Sequence, residues 1–133
     1  MKKILISILA LFLTYPVIAK EVWQGEFSPP NKSLTNTRGY QPSIIIAVVA
    51  NIDLAADGKI VGTVTLTGNQ VRCFGEAKIE SGSINGPIVQ ITTEPFPIHN
   101  CGRFIFKGEV INGAWVGSIP WNSTTNPLTL KRE

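Results

Sequence analysis

DGKIVGTV (57–64), NGPIVQIT (85–92) and NGAWVGSI (112–119) are three versions of one pattern. Each opens on Asp-Gly or Asn-Gly, passes one spacer residue, and continues through a large apolar residue, a valine and a roughly alternating tail. The three starts lie 28 and 27 residues apart. Asn-Gly and Asp-Gly accept the positive φ that tight hairpin turns require, so three such dipeptides between apolar runs predict three hairpins. EVWQGEF (21–27) supplies a strand before them and PLTLKR (127–132) one after. No stretch beyond the first twenty residues sustains a helical period. Eight antiparallel strands in chain order predict an all-β meander closing into a small barrel, because closure removes exposed strand edges. A two-sheet β-sandwich is the alternative.

The third hairpin predicts which face is inward. A two-residue Asn112-Gly113 turn pairs Val110 with Trp115, Gly108 with Gly117 and Phe106 with Ile119, and Phe104 and Trp121 extend that face. Lys107, Glu109, Val116 and Ser118 form the wetter face, so the aromatic face is expected inside. Opposed glycines in strands mark a sharp bend or a close approach of another group. In the first hairpin, a two-residue Asp57-Gly58 turn would turn Asn51 and Asp53 inward with Ile60 and Val64. One extra loop residue, with Gly58 in a bulge, puts Ala50, Ile52 and Leu54 there instead. A one-residue slip flips every side chain, and apolar consistency favours the bulged turn. The middle hairpin stays open, because Gln90 stands where the other two units have glycine.

The first nineteen residues, MKKILISILALFLTYPVIA, have the form of a secretory signal peptide. Lys2 and Lys3 precede an apolar run from Ile4 to Leu13, and Val17 and Ala19 place small residues at the cleavage positions. That run is too short to span a bilayer, and no later segment approaches the necessary length. Cleavage after Ala19 leaves one domain over 20–133. The lysine-rich start points to a bacterial precursor and a periplasmic or secreted product. Without Lys2 and Lys3 the formal charge falls from +3 to +1, leaving no basic stripe for a nucleic acid. Two cysteines in a small exported domain predict a disulfide between Cys73 and Cys101. Closing a 28-residue loop would stabilise the fold by about 3–4 kcal/mol.

His99-Asn100-Cys101 is the one place where nucleophile chemistry could begin. A cysteine nucleophile needs a thiolate and a neighbouring base; here the thiol is expected in the disulfide and His99 in a loop. Cys73, Cys101 and His99 supply three metal ligands where a structural zinc site takes four. Glu76 and Glu80, alternating with Arg72 and Lys78, have the pattern of a solvated face. No phosphate loop or nucleophile motif is present. We therefore expect no catalysis, no metal and no cofactor.

Binding is the remaining expectation. Trp115 and Trp121 lie on the inward face with Phe104 and Phe106, and glycines beside tryptophans could leave room for a small apolar ligand. Two connections are long for a barrel: 28–43, with Arg38 and Tyr40, and 94–102, with Phe96 and Ile98 around Pro97. Trp23 and Gly25 in the first strand, followed by the hairpin meander, resemble the calycins, the up-and-down barrels that include lipocalins, avidins and small periplasmic inhibitors. Calycins usually carry the glycine before the tryptophan; here it follows. The resemblance implies binding of a hydrophobic ligand, or of a protease or lysozyme active site, rather than catalysis. The expectation is thus an exported binding module that recognises a small amphipathic ligand or an extracytoplasmic protein through Trp23, Tyr40, Trp115 and Trp121. Inhibition of a lysozyme or protease through 28–43 is the alternative. Oligomeric state is not decided by the sequence.

Overall fold

A computed structural model describes residues 18–29, 45–68, 75–97, 102–121 and 124–133. These residues contain no helix and eight strands: β1 (Ile18–Phe27), β2 (Ile46–Ala55), β3 (Ile60–Gly68), β4 (Gly75–Asn85), β5 (Ile88–Thr93), β6 (Ile105–Ile111), β7 (Ala114–Trp121) and β8 (Thr124–Arg132). Each strand pairs antiparallel with the next, and β1 pairs with β8. The sheet is therefore a closed meander barrel and not a sandwich. Residues 1–17 of the expected signal peptide (1–19), Tyr40, His99 and both cysteines of the expected Cys73–Cys101 disulfide lie outside the described residues. β1 begins at Ile18, ahead of the expected cleavage point, where Ile18 and Ala19 pair with Ala55 and Leu54.

The first and third hairpins have the expected registers. Leu54 pairs with Ile60, Ile52 with Gly62 and Ala50 with Val64, across a loop in which Gly58 has φ +90°. Ala50, Ile52, Ile60 and Val64 are buried, whereas Asn51 and Asp53 face outward. In the third hairpin Val110 pairs with Trp115 and Gly108 with Gly117. Asn112 and Gly113 both have positive φ, as a type I′ turn demands. The ladder ends at Lys107–Ser118, one position short of the Phe106–Ile119 pair that the alternation would add.

The middle hairpin turns one residue later than its Asn-Gly dipeptide suggests. Asn85 pairs with Ile88, so Gly86 and Pro87 are the central residues, and Gly86 has φ +61°. Proline explains the shift. A turn centred on Asn85-Gly86 would need an N–H from residue 87 to close it, and Pro87 has none. With Pro87 inside the turn, its ring-fixed negative φ follows the positive φ of Gly86, which is the type II′ pattern. The shift reverses which residues point inward: Val89, Ile91 and Thr93 are buried and Gln90 is exposed. Gln90 therefore aligns with Gly62 and Gly117 in sequence but not in space.

A second offset lies in β4. Ala77 and Ile79 face the core on odd positions, but Gly82 and Ile84 face it on even ones. The register slips between Ile79 and Ser81, and Glu80 is the additional residue. Such a bulge lets one strand change face without breaking the barrel.

The core is continuous around the barrel. Ile46, Val48, Ala50 and Ile52 of β2, Ile60, Val64 and Leu66 of β3, and Leu128 and Leu130 of β8 are at most 3% exposed. Burial of each such side chain contributes on the order of 2 kcal/mol, which is the main force holding the strands in register.

Candidate functional site

Strand alternation gives the barrel two unlike ends. One end carries the three tight turns, at 56–59, 86–87 and 112–113. The other carries every longer connection: 28–45, 69–74 and 94–104, together with the short 122–123 link. Binding residues concentrate on loops held by a rigid scaffold, and here the scaffold sends its longer connections to one side. The segments bearing Tyr40, Cys73, His99 and Cys101 all join the barrel at this loop end.

Four residues were expected to bind, and three are described. Trp23 and Trp115 are 5% and 1% exposed, and their rings stack with centroids 3.8 Å apart at 14°. Each covers a face of the other, so the pair is core packing, worth about 1 kcal/mol beyond the area it buries. Trp121 is different. It is half-buried at the last position of β7, on the loop end, and meets Phe27 edge-on at 5.3 Å. The structure thus joins Trp23 to Trp115 and Trp121 to Phe27, but does not assemble the tryptophans into one site.

The glycines beside the tryptophans do not open a pocket. A Cβ built on Gly117 would lie 2.1 Å from the Lys107 carbonyl oxygen, and one on Gly25 would lie 2.2 Å from that of Thr129. Neighbouring backbone fills the space. Close approach, one of the two expected meanings of opposed glycines, is the one realised.

The connection after β5 is anchored at both legs. Thr93 is fully buried; its Oγ1 donates to the Glu94 carbonyl at 2.8 Å and accepts from the Phe104 amide at 3.0 Å. The Phe96 N–H donates to the Gly102 carbonyl at 2.9 Å, and Phe96 is buried. Arg103 pairs with the bulge residue Glu80 and also donates to the Thr93 carbonyl at 3.3 Å. Glu80, on a solvated face as expected, also pairs with this connection, and Phe96 belongs to the core.

At the turn end, two open depressions of about 470 and 490 Å³ meet at Lys20, Glu21 and Val22. Sequence reading missed this cluster, because its members are brought together only by barrel closure. Glu21 accepts from Trp23 Nε1 at 3.0 Å and from Arg132 Nη1 at 3.1 Å. Lys20 Nζ lies 3.2 Å from Asp53, and Gln24 donates to Glu133 at 3.0 Å. The one sequence-level signal was Glu21, two positions before Trp23 and so on the same strand face. The Glu21–Arg132 and Gln24–Glu133 pairs secure a seam where β1 and β8 share only two paired positions, while Lys20–Asp53 ties β1 to β2. Glu21→Ala should therefore lower stability by about 1–2 kcal/mol, because the buried Trp23 N–H loses its acceptor. Glu21→Gln, which keeps an acceptor, should recover most of the loss. Urea midpoints measure both, and an unchanged midpoint for Glu21→Ala would reject the seam assignment.

Comparison with protein-family models, curated proteins and solved structures finds no match. The eight-stranded antiparallel closed barrel is compatible with a calycin-like architecture. Among the described residues, no group of three or more His, Cys, Asp and Glu side chains could hold a metal ion. No helix among them is long and apolar enough to cross a membrane.

Proposed function

We propose that the protein is an exported, non-enzymatic, calycin-like binding module that holds an extracytoplasmic protein at its loop end. The observation that carries this reading is the polarity of the barrel, with its longer connections gathered opposite the tight turns. The packing inside favours a protein partner over a ligand enclosed in the barrel. Trp23 and Trp115 cover each other, and backbone carbonyls occupy the space beside Gly25 and Gly117. Half-buried Trp121 and the segment containing Tyr40 are the contact residues of this reading. A small amphipathic ligand would have to sit at the rim beside Trp121.

Inhibition of a lysozyme or protease is the narrower form of the same reading. It is favoured by the length of the 28–45 connection, which a hydrolase cleft could receive. The test is capture from periplasm or culture medium by the protein and by a variant lacking residues 31–40. The variant should keep its melting temperature and lose capture. Retained capture would reject the loop assignment. Titration of a purified lysozyme and a serine protease then separates the two forms, since an inhibitor abolishes activity at a stoichiometric ratio and a simple binder does not.

A further inference from the structure

Six large apolar side chains are exposed among the described residues, and three of them lie together on the outer face of β5, β6 and β7. They are Ile88 (40%), Ile111 (46%) and Val116 (39%). Ile88 and Val116 flank Glu109 from either side in the strand register. The outward residues of β6 are, in order, Ile105, Lys107, Glu109 and Ile111. Neither Lys107 nor Glu109 has an ion-pair partner among the described residues; Lys107 stands between Gln90 and Ser118, and Glu109 between Ile88 and Val116.

That order, apolar–positive–negative–apolar, is complementary to its own reversal. If two copies pack these faces about a twofold axis perpendicular to β6, the strands run antiparallel with Gly108 at the centre. Ile105 of each copy then meets Ile111 of the other, and Lys107 meets Glu109, twice over. A twofold axis along the strand would instead set Lys107 against Lys107 and Glu109 against Glu109, which is repulsive. Barrel closure pairs every strand on both sides and leaves only short unpaired stretches, which favours association by faces over strand addition. An isologous contact also satisfies every group in one step, as the symmetry of homodimers requires.

We infer that the outer face of β5–β7 is a homodimer interface, with β6 antiparallel to β6 and two reciprocal Lys107–Glu109 pairs. It leaves the loop end of both copies open and does not depend on what that end binds. Sedimentation equilibrium on the purified protein up to about 1 mM chain, where even a millimolar dimer is visible, should show a monomer–dimer equilibrium. Lys107→Glu and Glu109→Lys should each weaken association on the order of 100-fold, since each sets like charges face to face. The double variant carrying both reversals should regain the dimer, because the swapped charges again oppose. Val116→Lys should abolish association while leaving the circular dichroism spectrum and melting temperature unchanged. A strictly monomeric wild type overturns the interface. A dimer indifferent to the single reversals overturns its location, and a double variant that stays monomeric overturns the antiparallel register.

Discussion

Trp115→Ala should destabilise the barrel by about 4 kcal/mol, the middle of the range for deleting a large aromatic from a packed core. The indole is 1% exposed and stacked on Trp23, so its removal leaves a cavity bounded by a second ring with no partner. A domain of this size has roughly 5–15 kcal/mol in total, so the variant would keep a visibly smaller margin. Urea unfolding followed by circular dichroism measures the loss without relying on tryptophan emission. Trp121→Ala, at a half-buried position, should cost about half as much. The reverse order would mean that Trp121, not the Trp23–Trp115 stack, anchors the interior.

Gly62→Ala should be nearly as damaging, at about 4 kcal/mol, for a different reason. Gly62 has φ +133°, a conformation that strains any residue with a Cβ. The added methyl would also meet the Asn51 carbonyl oxygen at 2.1 Å and the Ile52 Cα at 2.9 Å. Those atoms are backbone of the paired strand and can move only by spreading β2 from β3. Gly113→Ala is the control: its φ is also positive, at +79°, but nothing lies within 4 Å of the new carbon. It should lose only about 1–2 kcal/mol, the strain of a left-handed residue. Chemical denaturation of both variants separates the two effects, and equal losses would remove the steric explanation.

The two predictions concern residues whose environments were unequally legible in the chain. Trp115 was readable as inward-facing because the Asn112-Gly113 turn fixes parity and aromatics line one side of the strands. The bulged first turn was readable because only that register keeps Asn51 and Asp53 out of the core. In the middle hairpin the deciding residue, Pro87, was in plain view, but its missing N–H acts only once the turn position is treated as movable. Glu80 carried no signal of a bulge, since its extra position is demanded by Val89 and Ile91 on another strand. The seam was out of reach for a similar reason. Closure brings β8 back to β1, but Glu21 and Arg132 are 111 positions apart, and nothing local to either sets the register that joins them. For the site, Trp23, Trp115 and Trp121 looked equally available in the sequence, and only the fold separates the stacked pair from Trp121 at the rim. One aromatic among several on an inward face cannot be told from sequence to be the partner of another.

The seam has one more consequence. The Glu133 N–H donates to the Val22 carbonyl at 2.9 Å, so residue 133 comes to rest beside the start of β1, at the turn end. Anything covalently attached at Lys20 or Glu133 is therefore carried on the side facing away from the long connections. A chain tethered to a surface through either point would stand with its loops outward, like a bloom on its stalk. An affinity tag or fluorophore added after Glu133 would report on the molecule from the pole opposite its proposed contact surface.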